Sequence, residues 1–191
     1  YLVQLSGRPL TKENNRTIHT LLHTIGDFER ISDHAVNLLE PAREIRDKEI
    51  RFSAEALEDL GVLESAVQDI VNRTVDAFQK HDCYAAGKIE PLEEVVDGLV
   101  REVKTRHIAR LQAGTCTIEY GFVLDDLLTD YERIADHCSN IAVAMIEVAE
   151  DKFDTHEYLN NIKNGSSVKF EERYEKYRDR YAFPTEAASN G

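Results

Sequence analysis

The sequence predicts an all-α protein, a bundle of long helices built from a repeated three-helix unit. Three observations carry this. Apolar residues recur at three- and four-residue steps along almost the whole chain, and no segment alternates as a strand would. Only 9 Gly and 4 Pro occur in 191 residues, and 31% of the chain is charged, a blend suited to helices. Finally, the segment DFERISDHAVN at Asp27–Asn37 returns as DYERIADHCSN at Asp130–Asn140, identical at seven of eleven positions.

The elements follow in order. Tyr1–Leu5 reads as the last turn of a helix, ended by Gly7 and Pro9. A long helix is expected from Thr11 to Glu40, with Ile18, Leu21, Ile25, Phe28, Ala35 and Leu39 on its apolar stripe. Pro41 either starts a continuation or bends the chain on its way to Arg51. Ser53 is suited to N-cap the next helix, striped by Ala56, Leu57, Leu60, Leu63, Val67, Ile70, Val71, Val75 and Phe78. Asp82 is placed to cap a further helix through Leu111, which kinks at Pro91 or starts only there, and Gly114 ends it. Thr115 or Thr117 opens another, carrying Phe122, Leu124, Leu127, Leu128, Tyr131, Ile134, Ile141, Val143, Ile146 and Val148. After a break at Asp151–Thr155 come a short helix near His156–Lys163, a loop at Asn164–Ser167 and a charged helix over Phe170–Tyr181. From Pro184 the chain reads as a frayed tail.

The two motif copies lie 103 positions apart, the length of a three-helix unit. The expected organisation is a partial first repeat over 1–50, a complete second repeat over 54–150, a helical extension over 154–183 and a tail over 184–191. Helices expected before Thr11 would lie upstream of a chain that does not begin with Met. Their absence leaves an apolar face that a second copy could cover, so a homodimer or a domain swap is expected.

A formal net charge of −13 opposes a nucleic-acid partner, because phosphates would be repelled. No apolar run approaches the roughly 20 residues of a membrane span, and no signal peptide opens the chain. Cys83, Cys116 and Cys138 are odd in number and lack C-x-x-C spacing, and read as reduced core fillers of a cytoplasmic protein.

The motif itself suggests cation chemistry. At about 100° per residue, Asp33 falls about 40° and Asn37 about 80° from Glu29, beside an apolar arc running from roughly 180° to 340°. Glu132, Asp136 and Asn140 repeat that placement, with Asp125 two turns earlier on the same stripe. Two carboxylates at (i, i+4) repel each other, and a bound cation reverses the sign. Oxygen ligands one turn apart suit hard or borderline metal ions. Glu93 and Asp97 in PLEEVVDGL have the same spacing on the preceding helix. In an antiparallel bundle Glu93, Asp97, Glu132 and Asp136 would converge on one site, and Glu29 with Asp33 would form half of a second. Asn37, Asp125 and Asn140 are further candidates around them.

Other residues carry less. His34 and His137 project well round from the carboxylate stripe, where they pair with an acidic neighbour or face solvent. Asp27 and Asp130 fall on the far edge, where a structural salt bridge is the default, and Arg30 and Arg133 are ion-pair partners for flanking acids. His19 and His23 have metal-pair spacing without the protease Glu. Tyr174, Tyr177 and Tyr181 are spaced to dock the last helix. No Gly-rich phosphate loop, G-x-S-x-G or H-E-x-x-H occurs. Ser32 and Ala135 stand where a di-iron enzyme needs His, three residues after Glu29 and Glu132. No catalytic set emerges, and the chain is read as a non-enzyme.

At these residues the chain resembles the PhoU family of phosphate-uptake regulators. The family's repeated Glu/Asp-x-x-x-Asp motif is seen in ERISD (Glu29–Asp33) and ERIAD (Glu132–Asp136), and its second-helix motif in EEVVD (Glu93–Asp97). The resemblance spans about residues 1–150. The extension through FEERYEKYRDRY looks like that of PhoU-like domains ending bacterial sodium/phosphate cotransporters. It implies two three-helix bundles, multinuclear iron or zinc clusters on the carboxylates, a dimer, and control of phosphate transport at the cytoplasmic face of a membrane, with a transporter portion or a phosphate-signalling protein as partner. Two readings stand beside each other: a metal-binding regulatory domain, and a helical dimerisation or scaffold module whose acidic stripes contact partner proteins. A metal-dependent hydrolase ranks last, since nothing supplies a base or an orienting shell.

Overall fold

The computed structural model describes residues 2–6, 10–150 and 168–184, and among these every regular element is a helix. They are α1 (Leu2–Ser6), α2 (Lys12–Asn37), α3 (Leu39–Asp47), α4 (Ala54–Lys80), α5 (Cys83–Ala86), α6 (Glu90–Gln112), α7 (Ile118–Glu150) and α8 (Val168–Arg180). The expected helix near His156–Lys163, the loop after it and the tail from 185 onward lie outside the described residues.

Local chemistry sets the boundaries. The Thr11 hydroxyl accepts from Asn14 N at 3.2 Å to cap α2, and Ser53 accepts from Ala56 N at 3.2 Å to cap α4. His81 ends α4 in the left-handed conformation at φ 52°, and Asp82 caps α5 through Ala85 N at 2.9 Å. Of the two courses expected for the helix through Leu111, a kink at Pro91 or a start only there, the second is observed. Pro91 lies in the first turn of α6, where a missing N–H costs nothing, so the helix starts there unkinked. Pro41 similarly opens α3 just after a break at Leu38, which resolves the path from Pro41 to Arg51. Gly114, at φ 71°, takes the positive φ needed to turn the chain from α6 towards α7. Thr117 caps α7 through Tyr120 N at 3.4 Å.

Helices α4, α6 and α7 pack against one another around Leu63, Ile70, Leu92, Val96, Val103, Leu128 and Ile141, all removed from solvent. The short α5 and Ile89 close one end. Helix α8 lies on α6, with Tyr177 and Tyr181 buried and the Tyr181 hydroxyl donating to Asp69 Oδ2 at 2.8 Å. Asp59, buried in α4, accepts from Arg106 Nη1 at 3.1 Å and Arg110 Nη1 at 2.9 Å.

Helix α2 lies along the outside of α7. Phe28, Ile31 and Leu38 pack on the core, and Phe28 meets Phe78 edge to face at 4.8 Å. Ile25, Ala35 and Val36 stay exposed on α2, and Leu39 at the start of α3 is exposed as well. Several other expected core positions are also exposed: Leu57, Val75 and Phe122. Phe122 and Ile118 lie in the first turns of α7, where the adjacent Val123 and Leu124 take the buried positions instead. Cys138 is a core filler, whereas Cys116 sits half-buried in the α6–α7 turn and Cys83 half-buried at the edge of the core.

Candidate metal centre

The (i, i+4) pairs of α6 and α7 meet because a short turn joins the two helices and lays them antiparallel. Glu93, Asp97 and Asp136 each present a carboxylate oxygen to a common point, all within 4.8 Å of one another. Glu93 is buried, and Asp97 and Asp136 are half-buried. Burial, followed by the nearby charges of Glu132 and Asp136, pushes the Asp97 carboxyl up to about 6. Glu132 therefore acts on the same cluster, half-buried one turn before Asp136.

Arg133 reaches Asp136 Oδ2 at 3.1 Å from an exposed position, and Arg101 approaches Asp97 only to 3.8 Å. Asp97 Oδ1 is buried and accepts no hydrogen bond among the described residues. A group of converging carboxylates that includes this Asp97 oxygen fits a hard or borderline cation.

The structure adds residues that the spacing argument overlooked. Glu90, Glu93 and Glu94 form a second group with oxygens within 4.8 Å of one another, and Ser139 on α7 donates to the Glu90 carboxylate. Glu90, Glu93, Glu94 and Asp97 follow an i, i+3, i+4, i+7 pattern, one face of a helix. That signal stood in the sequence. It was hidden because Glu90 precedes Pro91, so its place in the helix depended on where α6 began.

The remaining candidates go elsewhere. Asp125 is exposed and ion-paired with Lys104 at 2.9 Å. Asn140 turns to α2 and donates to Asp27 Oδ1 at 3.3 Å, away from the carboxylates one turn before it. Glu29, Asp33 and Asn37 are exposed on α2, and among the described residues Glu29 and Asp33 join no group of three or more converging acidic, His or Cys side chains.

The rest of the repeated motif pairs with itself. His34 Nδ1 lies 2.8 Å from Asp130 Oδ1, and His137 Nδ1 lies 2.9 Å from Asp27 Oδ1. First-copy His meets second-copy Asp and the reverse, which makes α2 and α7 antiparallel about a local pseudo-twofold. The two imidazoles lie near-parallel at 5.7 Å between centroids. The first Asp and the His of each copy thus serve the seam between copies, while Glu and Asp of the second copy serve the cluster.

Residues 62–145 match the model of the PhoU domain. The chain is similar to the phosphate-specific transport system accessory protein PhoU homolog 1 of Thermotoga maritima, 26% identical over 166 residues that cover 87% of this chain and 70% of that protein. No solved structure matches significantly. The two matches support the PhoU family, and the all-helical bundle agrees with it.

Proposed function

We propose that this chain is a non-enzymatic regulatory domain of phosphate transport or phosphate signalling that binds metal ions on Glu93, Asp97, Glu132 and Asp136. The observation that carries the metal reading is the convergence of Glu93, Asp97 and Asp136, with one buried Asp97 oxygen that has no donor among the described residues. Similarity to an accessory protein of a phosphate-specific transport system supports the regulatory role. Glu90 and Glu94 would extend the cluster, and Glu29 with Asp33 would supply half of a second site. Iron or zinc is the proposed ion, on the strength of the family resemblance. The bound ion draws α6 and α7 together against their charge repulsion, and that bias on packing is what a partner would sense. The partner is either a transporter portion of the same protein at the cytoplasmic face of the membrane or a separate phosphate-signalling protein; no helix among the described residues is long and apolar enough to cross a membrane.

Elemental analysis of the purified protein tests this, repeated on the double variant Glu132→Ala, Asp136→Ala. Bound metal that the double variant loses supports the proposal. Metal content unaffected by the variant, or no metal and no uptake on titration, overturns it.

A scaffold reading is favoured by one specific observation, the exposed Ile25 and Val36 of α2 with Leu39 at the start of α3, which a second copy could cover. It expects the double substitution to be neutral or slightly stabilising, and light scattering to report a dimer. A monomer would count against it.

A further inference from the structure

Three contacts fix the register of antiparallel α6 and α7. The His107 ring lies over Gly121, Lys104 meets Asp125 at 2.9 Å, and Glu93 and Asp97 converge with Asp136. The seam between the two helices changes character along its length. Near the α6–α7 turn it opens into a groove of about 330 Å3, walled by Ile108, Leu111, Ile118, Phe122 and Leu128. Ile118 and Phe122 are 71% exposed and Ile108 is 54% exposed. Large apolar residues left to water around one groove, with polar groups at its rim, mark a protein contact, unlike the same residues scattered singly.

The Lys104–Asp125 ion pair closes the apolar stretch, and its charges cancel. Beyond it the seam is acidic, with Asp97, Glu132 and Asp136 flanked by the exposed Arg101 and Arg133. Burial, followed by the charges of Glu132 and Asp136, raises the Asp97 carboxyl against a weaker opposite pull from Arg101, so this end of the seam is negative. Asp97 precedes Ile108 by eleven residues, about 16 Å or three helical turns. The geometry points to the α6–α7 seam as the docking groove for a basic amphipathic helix of a partner protein. A bulky apolar side chain of that helix sits between Ile108 and Phe122, and its Lys or Arg residues, about three turns along, lie over Asp97 and Glu132. Charge disfavours a second copy as the occupant, since each chain carries a formal net charge of −13. This docking rests on the acidic stripe contacting a partner protein, and it needs neither a bound metal nor the apolar face of α2.

The probe is a synthetic helix of about four turns, with Leu at i, i+3, i+4 and i+7 around one Trp and with Lys about three turns from it. A control peptide carries Glu in place of Lys. Fluorescence anisotropy of each labelled peptide is followed as the full chain is titrated in, with chelator present. The Lys peptide should bind and the Glu peptide should not. Phe122→Ser and Ile118→Ser should each weaken binding about tenfold or more, as loss of an anchor does, without changing helical content, because both side chains are exposed in the free chain. Glu132→Ala with Asp136→Ala should weaken binding about three- to tenfold and flatten its salt dependence. Ile25→Ser with Val36→Ser on α2 should leave it unchanged. No binding of the Lys peptide overturns the proposal, as does binding that survives Phe122→Ser. Equal binding of the Glu peptide would show that the acidic stripe plays no part, and overturns it on that separate ground. A dimer in light scattering that Phe122→Ser dissolves would give the groove to a second copy and also overturn it.

Discussion

Replacing Asp97 with Asn should stabilise the metal-free protein at neutral pH. Burial and the charges of Glu132 and Asp136 raise the Asp97 carboxyl to about 6, from an ordinary value of 3.8. At about 1.36 kcal/mol per unit, the ceiling on the penalty is roughly 3 kcal/mol. The side chain keeps 25% of its surface exposed, and solvent screening lowers this to about 1–2 kcal/mol. Asn keeps the shape and removes the charge. The lost contact with exposed Arg101, 3.8 Å long, is worth little in return. For a domain of this size the gain corresponds to a Tm increase of roughly 3–6 °C.

The sign with pH follows from linkage. The folded-state value lies above the unfolded one, so between about 4 and about 6 the folded chain binds the additional proton. Stability from this group falls as pH rises through that window, and the full penalty applies above it. The advantage of Asp97→Asn should therefore be complete at pH 7 and shrink by more than half at pH 4.5. Urea unfolding at both values, with chelator present, measures it. A neutral or destabilising effect at pH 7, or a gain undiminished at pH 4.5, would refute the reasoning. If the cluster holds metal, a ligand at a hundredfold excess over its Kd adds about 2.7 kcal/mol to wild type, and Asp97→Asn should lose most of that increment.

Asp59→Ala removes the shared partner of Arg106 and Arg110 and should cost about 3–5 kcal/mol in chemical denaturation; a loss below 1 kcal/mol would mean the arginines find other partners. Gly121→Ala places a Cβ 2.7 Å from His107 Nε2, so it should destabilise by about 1–3 kcal/mol, and by less in a His107→Ala background. A double-mutant cycle on His34 and Asp130 should give a coupling of about 1 kcal/mol or more, within the range for residues in direct contact, whereas additivity would show the seam bond to be idle. Burial pushes the Cys138 thiol up to about 12, so a thiol reagent should label Cys83 and Cys116 in the folded protein and reach Cys138 only on unfolding.

Much of this molecule was legible because its signals are local. Helical periodicity depends only on spacing along the chain, and the caps at Thr11, Ser53, Asp82 and Thr117 act within four residues of themselves. The pairing of Glu93 and Asp97 with Asp136 could be anticipated from two (i, i+4) patterns and a short connection, since a tight turn leaves neighbouring helices little choice but to lie antiparallel.

What depended on partners distant in sequence was not legible. A helical wheel assigns angles but no neighbours, so it placed Asp27, His34, Asp130 and His137 on an edge without showing that the edges of the two copies face one another. Asn140 shares the carboxylate stripe on a wheel, yet its amide donates across the seam to the Asp27 carboxylate of α2. Burial of Ile25, Val36 and Leu39 could not be decided either, because an apolar stripe states what a helix can bury and not whether anything covers it. The sequence by itself determined the helices, their caps and the two acidic spacings. Only the tertiary structure decided which copy gains a facing carboxylate pair and how the two copies lock together, because ion pairs and cation sites are set by distances through space, which packing fixes.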